Sequence, residues 1–285
     1  MGRVAIVTDS ASDLDPAVAG RLGIVVVPLI VSFGPDSFRA GVELSAEAFW
    51  ERMVAPDAPF PTTAAASPGV FKETFEAAFA DGADAIVCVT VGSTLSGTNK
   101  SAQVARELLA DREIHLVDSQ SASMGQGLLA VLAAELAQEG VPADGIARTL
   151  EARLDDALVV ICLDTLDYLK KGGRISGPQA AIGSLLGVKP LISIKDGLVE
   201  TVDRVRTRTK ARERAIEFIL AAPVERIAVL HTVSPDVEAF RDEMIRRAPG
   251  GIDPARVSIS LVGPSVGPHL GPGAVGAAVL RRRQA

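Results

Sequence analysis

A loop of glycine and hydroxyl side chains follows an apolar, strand-like run in the first half of the chain. Residues 85–91 are mostly aliphatic, and residues 92–98 read Gly-Ser-Thr-Leu-Ser-Gly-Thr. In an α/β protein, the loop at the carboxyl end of a buried strand is the usual place for a ligand. Hydroxyls and backbone N–H groups at the start of the next helix suit a carboxylate or one phosphate. The pattern therefore predicts an anion site here.

The same loop is similar to a nucleotide-binding P-loop but lacks its lysine. Gly92 and Gly97 have the P-loop spacing, whereas Thr98 and Asn99 separate Gly97 from Lys100. A P-loop requires the lysine directly after the second glycine. Since two additional helical residues rotate a side chain by about 200°, Lys100 is predicted to point away from the loop. We therefore expect no magnesium-bound triphosphate at this site.

His269 lies in a glycine-dense segment near the end of the sequence, where the backbone can approach a ligand closely. Both a ligand contact and an ordinary turn histidine fit it. Residues 263–267 just before it match G-x-S-x-G, the nucleophile elbow of serine hydrolases. That motif needs a helix directly after the serine, and Pro268 disfavours one. The sequence therefore argues against a serine hydrolase.

Arg174 follows a predicted short helix and is preceded by two glycines. A single arginine in such a position can bind a carboxylate or phosphate, or simply face solvent. Asp9, Asp13 and Asp118 lie at or just beyond predicted strand ends. They could serve acid/base chemistry, but helix caps and Asx turns are the favoured interpretation.

Composition narrows the class of protein. The 285 residues carry a net charge of −6 and contain 48% hydrophobic but only 4% aromatic residues. This balance gives no electrostatic footprint for nucleic acid. A basic stretch at residues 204–214 is interpreted as a solvated face, with docking of an acidic partner as the alternative. Cys88 and Cys162 lie in apolar runs without metal-ligand spacing, and no signal or spanning segment is recognised, so we expect a cytoplasmic protein without a metal.

The order of predicted elements indicates two α/β domains. In the first half, short strands alternate with helices, which favours a parallel sheet with helices on both faces. One strand is predicted over residues 24–31, and a helix at residues 127–138 is apolar nearly all round and is predicted to be buried. Ser12 or Asp13 is predicted to cap the first helix.

The second half has a mixed pattern with more strands. Lys195-Asp196-Gly197 is a hairpin signal between two apolar runs. We therefore expect a mixed sheet in the second half and place the boundary near residue 150. The predicted domains are residues 1–150 and 151–285.

Several segments together resemble the DegV family of bacterial fatty-acid-binding proteins. They occur in the family's order and span almost the whole chain. They are residues 8–14 (Thr-Asp-Ser-Ala-Ser-Asp-Leu), 63–68, 93–98, 117–119 with 123–127, 166–176, 185–190 and 269–273 (His-Leu-Gly-Pro-Gly).

The resemblance implies a fatty-acid carrier rather than an enzyme. Family members have two α/β domains and hold a long-chain fatty acid, with the carboxylate near the domain junction and the tail in a buried tunnel. A separate ATP-dependent fatty acid kinase phosphorylates the bound acid for phospholipid synthesis. The resemblance thus implies no cofactor besides the fatty acid, a kinase partner, and transient contact with a membrane surface.

The resemblance also assigns the site residue by residue. Thr63 and Ser96 match the family's hydroxyl positions and would bind the carboxylate. Arg174 and His269 match its Gly-Gly-Arg-Ile and His-x-Gly-Pro-Gly motifs and would complete the head-group site and meet the kinase. Thr62 and Gly97, beside the two hydroxyl positions, complete the predicted set.

The sequence departs from the family at one motif. Where the family reads Thr-Ser-Gln-Pro-Ser, residues 63–67 read Thr-Ala-Ala-Ala-Ser, so secondary polar contacts are lost. Candidates for lining the tail are residues 127–136 and 180–186, and ordinary core is the alternative for both.

Two other functions stay open at this point. One is an enzyme that acts on a small carboxylated or phosphorylated metabolite in the same cleft. The other is a regulatory protein that senses lipid and docks a macromolecule through residues 204–214.

Overall fold

The computed structural model describes residues 2–175 and 187–282. Residues 180–186, one of the two predicted tail-lining segments, lie outside this part. The strands are β1 Val4–Asp9, β2 Ile24–Val27, β3 Ile30–Phe33, β4 Asp36–Arg39, β5 Thr62–Ala64, β6 Ala85–Thr90, β7 Glu113–Asp118, β8 Ala157–Cys162, β9 Lys189–Lys195, β10 Leu198–Val205, β11 Val224–His231, β12 Val257–Leu261 and β13 Val275–Arg281. The helices are α1 Pro16–Leu22, α2 Ala46–Met53, α3 Pro68–Ala80, α4 Thr98–Glu107, α5 Met124–Gln138, α6 Ala143–Ala152, α7 Asp167–Lys171, α8 Arg208–Ile219, α9 Val237–Arg247 and α10 Gly267–Leu270.

The first half contains a parallel sheet with the strand order β2-β1-β6-β7. Every residue of β6 is buried, as expected for a central strand covered on both faces. Side chains alternate between the faces. Val7 and Cys88 pack against α3 and α4, whereas Ile6 and Val87 belong to the core formed with α5 and α6. The predicted α/β/α arrangement of this half is confirmed.

This sheet changes its winding direction between β1 and β6. Chain order runs outward from β1 to β2 on one side and from β6 to β7 on the other. The loops after β1 and β6 therefore open a crevice at the carboxyl ends of the strands, where doubly wound proteins bind ligands.

A small antiparallel sheet with the order β4-β3-β5 stands beside the parallel one and was not predicted. The strand predicted over residues 24–31 is wrong, because β2 ends at Val27 and β3 begins at Ile30 in this other sheet. Pro28 between them has no N–H to donate to a sheet, so it interrupts the ladder. The chain thereby passes from one sheet to another.

The second half contains a mixed six-stranded sheet with the order β10-β9-β8-β13-β11-β12. β11 and β12 are parallel, and the other neighbours are antiparallel. Helices α8 and α9 cover one face through residues such as Ile216 and Phe240. The predicted mixed sheet is confirmed, and the predicted hairpin lies at Asp196 and Gly197, both with positive φ, between β9 and β10.

Helix α5 lies between the two large sheets. It contacts β1 and β6 of the parallel sheet and β8 and β13 of the mixed sheet. Ten of its residues, from Met124 to Ala134, are buried. The predicted burial of this helix is confirmed, and one hydrophobic core therefore continues from one sheet to the other.

Two predicted local features at helix starts differ from the structure. Asp15, and not Ser12 or Asp13, caps α1, because its carboxylate accepts hydrogen bonds from the N–H groups of Ala17 and Val18. Asp13 instead has a left-handed backbone and binds elsewhere. A helix of four residues, α10, begins at Gly267 with Pro268 in its first turn, so the proline starts this helix and does not prevent it. Within the described ranges, no helix has the combination of length and apolar character that a membrane crossing needs.

Candidate functional site

A cavity lies where the crevice of the parallel sheet faces the mixed sheet. The volume that the centre of a water molecule can occupy inside it is about 130 Å³. On the same measure this is roughly ten times the volume that one water needs. Its lining comes from both halves of the chain and is mostly apolar. The lining residues are Ala11, Leu29, Thr63, Ala64, Ala65, Val91, Leu95, Ser96, Gly97, Ala122, Ser123, Val159, Ile161, Leu169, Arg174, Ile192, Ser193, Ile194, Val199, Ser265, Val266, His269 and Leu270.

The loop after β6 forms one polar side of this cavity, as its sequence predicted. The N–H groups of Leu95 and Ser96 both donate to the carbonyl of Gly92, so the chain turns tightly before α4. Ser96 Oγ lies 2.8 Å from the hydroxyl of Thr98. Ser96 and Gly97 line the cavity, whereas Lys100 is exposed, in agreement with the predicted direction of its side chain.

Thr63 reaches the cavity from β5. This strand pairs with β3, and Thr63 lines the cavity, whereas Thr62 is exposed and is not among the lining residues. The prediction that Thr62 contacts the ligand is therefore not supported by its position. The hydroxyl of Thr63 lies 3.2 Å from His269 Nε2. This contact joins residues that are 206 positions apart.

His269 lies in α10 with its ring packed against the backbone of Gly172. A Cβ at residue 172 would lie only 2.1 Å from His269 Nδ1, so only glycine fits there. His269 Nδ1 is buried without a hydrogen-bond partner among the described residues. Burial, and then the positive charge of Arg174, lower the pKa of His269 to about 4. The imidazole is therefore neutral at physiological pH and can donate one hydrogen bond and accept another.

Arg174 supplies the positive charge at the cavity. Its Nε donates to the carbonyl of Leu95 at 3.2 Å, and one Nη donates to that of Gly172 at 2.6 Å. These neutral carbonyls orient the guanidinium without cancelling its charge. Within the described ranges no carboxylate pairs with it. Arg174 is thus a part of the cavity wall and not a solvated surface residue.

The polar groups form one part of a largely aliphatic wall. Two hydroxyls, a neutral imidazole and a guanidinium can together bind one carboxylate by hydrogen bonds and charge. The remaining wall includes Val159 and Ile161 of β8 with Ile192 and Ile194 of β9, which suit an apolar chain. A wall with this combination of groups has the chemistry to accommodate an amphiphilic anion.

Several lining residues were not among the predicted site residues. Ser123, Ser193 and Ser265 line the cavity, and so do the aliphatic residues of β8 and β9. The apolar residues of β9 indicate a buried strand but not which of them line a cavity. The predicted tail-lining segment at residues 127–136 is wrong, because the structure places that helix in the core and none of its residues on the cavity wall.

Other candidates for chemistry have structural roles. Three of the six basic residues at positions 204–214 pair with acids, since Arg208 and Arg212 both contact Asp236, and Arg214 contacts Asp203. Cys88 and Cys162 are buried and free, as predicted. Within the described ranges, no group of three His, Cys, Asp or Glu residues is placed to hold a metal ion.

Comparisons with known proteins identify the family of this chain. The profile of a family described as "Uncharacterised protein, DegV family" matches residues 3–282. A DegV domain-containing protein of Streptomyces coelicolor is 38% identical over 289 residues, covering 98% of this chain and 99% of its own.

Solved structures show the same fold. A DegV family protein from Thermus thermophilus, described by its fatty acid binding, is 34% identical with a TM-score of 0.87, over 98% of this chain and 100% of that one. A stearic-acid-binding protein from Eubacterium ventriosum is 27% identical with a TM-score of 0.85, over 99% of this chain and 98% of that one.

Proposed function

The chain belongs to the DegV family, and from this membership we propose that it binds one long-chain fatty acid in the cavity between its two sheets. The carboxylate lies at the polar wall formed by Thr63, Ser96, Arg174 and His269, and the tail lies along the aliphatic residues. The observation that carries this proposal is the polar, positively charged corner that these four residues form in a largely aliphatic cavity.

The energetics of such a ligand fit this wall. Each buried CH₂ group contributes about 0.8 kcal/mol. A tail of about sixteen carbons therefore supplies roughly 10 kcal/mol before the entropic costs of binding. The head group needs few contacts beyond that, and charge-assisted hydrogen bonds from Arg174 and the two hydroxyls orient it.

We further propose that the protein presents its bound acid to a separate kinase that uses ATP, yielding an acyl phosphate for phospholipid synthesis. The position of Lys100 supports a separate source of phosphoryl chemistry. This lysine is exposed and does not directly follow the second glycine, where a P-loop places the lysine that binds the phosphates. This role includes brief contact with a membrane surface to exchange lipid. It implies a cytoplasmic location, where ATP is available.

Equilibrium binding to acids of different length tests the proposal. The purified protein should bind hexadecanoate tightly, octanoate much more weakly, and hexadecanol more weakly than hexadecanoate because the alcohol lacks the charge. Equal binding of octanoate and hexadecanoate, or turnover of a small acid by the protein alone, would instead support an enzyme acting on a small metabolite. The kinase role is tested by mixing the protein with the organism's fatty acid kinase and ATP. Acyl phosphate should form only when both proteins are present.

A further inference from the structure

Two strained residues from distant parts of the chain contact each other beside the cavity. Asp13 has φ 49° and ψ 29°, and Ser123 has φ 53° and ψ −148°. The second combination is essentially restricted to glycine, and such strain persists only where the surroundings fix it. Ser123 Oγ donates a hydrogen bond of 2.5 Å to Asp13 Oδ2.

The backbone of Ser123 is held on both sides. Its N–H donates to the carbonyl of Ala11 at 2.7 Å. Its carbonyl accepts hydrogen bonds from the N–H groups of Gln126 and Gly127, both at 3.0 Å, at the start of α5. The turn after β1 and the start of α5 thus force the unusual conformation and aim the hydroxyl at Asp13.

Asp13 also reaches across to the second half of the chain. Its Oδ1 accepts a hydrogen bond of 2.8 Å from the N–H of Gly263, and its carbonyl accepts one of 2.8 Å from the Ser260 hydroxyl. Nearby, the hydroxyls of Ser10 and Ser265 lie 2.8 Å apart. We call the three groups Asp13, Ser123 and Gly263 the junction seam.

Both sides of the junction seam continue into the cavity wall. Ser123 lines the cavity from the first half, and Ser265 and Val266, which follow Gly263, line it from the second half. Asp13 is not itself among the lining residues. Its carboxylate therefore acts on the cavity through the two segments that it holds together.

We propose that Asp13 is a positioning residue, whose carboxylate holds the two walls of the cavity together across the junction and so slows escape of the bound acyl chain. This inference rests on the proposed function, because it concerns retention of the same ligand. It adds a residue that contacts neither head group nor tail.

The electrostatic setting supports a role that stability alone does not explain. Burial, together with the nearby carboxylate of Asp9, raises the pKa of Asp13 to about 7 against the hydrogen bonds from Ser123 and Gly263. Burial likewise raises the pKa of Asp9 to about 6. The charged group that acts on Asp13 is Asp9, at the end of β1. The start of α5 and the loop after β12 contribute only uncharged donors, the hydroxyl of Ser123 and the N–H of Gly263. Since the folded protein holds this proton more tightly than the unfolded chain, ionised Asp13 lowers stability.

The variant Asp13→Asn separates retention from stability. Asparagine tolerates a left-handed backbone and has the same shape, but it is uncharged, so its hydrogen bonds with Ser123 and Gly263 lack the charge assistance that the carboxylate gives. At about pH 8 we expect stability against urea equal to or above that of the wild type, because a buried charge is gone. We expect a bound fluorescent C18 polyene fatty acid to dissociate into phosphatidylcholine vesicles about tenfold faster.

The pH profile gives a readout that a merely structural role would not move. Below a pKa of about 7 the wild-type carboxyl is protonated and its two hydrogen bonds lose their charge assistance. The difference in dissociation rate between wild type and Asp13→Asn should therefore widen from about pH 6 to about pH 8. Asp144→Asn, which changes an exposed carboxylate of α6 paired with Arg148, is the matched control and should leave the rate unchanged.

Ser123→Gly provides a second variant. It relieves the backbone strain and removes the hydroxyl, so stability should rise or stay level while dissociation becomes faster. Wild-type dissociation rates and pH dependence in either folded variant would overturn the inference. If the wild type itself failed to bind the fluorescent acid, the proposed function would be wrong, which is a different result.

Discussion

The polar corner of the cavity joins residues that are far apart in the sequence. Thr63 comes from a short edge strand, Ser96 from a strand-to-helix loop, and His269 from a helix of four residues. Each is a common residue in a common setting. Their chemistry arises from the contact between Thr63 and His269 and from the carbonyls that orient Arg174.

Removing a hydroxyl from the polar corner should weaken fatty acid binding. A hydrogen bond to a charged group contributes about 1.5–3 kcal/mol, so Thr63→Val and Ser96→Ala should each raise the Kd for hexadecanoate by about tenfold or more. Thr62→Val is the matched control, since Thr62 is the neighbouring residue on the outer side of β5. Calorimetric titration measures all three. Equal affinity in Thr63→Val and Thr62→Val would remove Thr63 from the head-group site.

His269 should make stability depend on acidification. Its pKa falls from 6.5 to about 4 on folding, mainly through burial, so the unfolded chain takes up the proton first as the pH drops. The wild type therefore loses stability from this group between about pH 6.5 and about pH 4. His269→Gln lacks this loss, and its free energy of unfolding should approach that of the wild type as the pH falls. Urea denaturation over this range measures the difference, and a constant gap would contradict the assigned protonation.

Much of the polar corner could be predicted from the sequence, because the family's motifs occur in this chain in the family's order. Thr63, Ser96, Gly97, Arg174 and His269 were predicted and all line the cavity, although their contacts with a ligand stay a prediction. Thr62 was included as the neighbour of Thr63, but it is exposed and is not among the lining residues. An irregular loop gives no rule for which of two neighbouring side chains faces a cavity, whereas neighbouring side chains of a β-strand point to opposite faces of the sheet.

At the scale of elements, α5 determines how closely the two sheets approach. Its first turns carry glycines where neighbouring segments come close. A Cβ on Gly127 would lie 2.7 Å from the carbonyl oxygen of Ser12, and one on Gly125 would lie 2.5 Å from Val159 of β8. The first contact involves backbone, which cannot move aside as a side chain can.

Gly127→Ala should therefore destabilise the protein although alanine favours helices. Overpacking of this kind costs about 1–3 kcal/mol in the free energy of unfolding. Gly20→Ala in α1 is the control, because nothing lies within 4 Å of a Cβ there. It should add about 0.5–1 kcal/mol. Urea denaturation of both variants tests the pair, and a stabilised Gly127→Ala would contradict the close approach.

Elements with strong local signals were predictable, and those set by partners elsewhere were not. The buried helix, the fully buried β6 and the hairpin at Asp196 and Gly197 follow from composition and turn chemistry. The small sheet was missed because β5 has three residues and acquires strand character only by pairing with β3. Pro28, which separates β2 from β3, was the available signal for the break.

At the scale of the whole molecule, the cavity exists because two sheets share one central helix. The core continues through α5, and the cavity lies beside the start of this helix, where Ser123 lines it. The alternation of strands and helices predicted the parallel sheet, and the strand-rich second half predicted the mixed sheet. No local pattern predicted which lining residues would face each other. The division at residue 150 stays a prediction, with the mixed sheet formed by strands from Ala157 onward.

The presence of a long-chain acid in the protein tests the central claim most directly. Native mass spectrometry of the gently purified protein should show one bound species per chain, and lipid analysis after denaturation should identify it as a long-chain fatty acid. Added hexadecanoate should replace it with the corresponding change in mass. A protein that is empty as purified and takes up no added fatty acid would contradict the account.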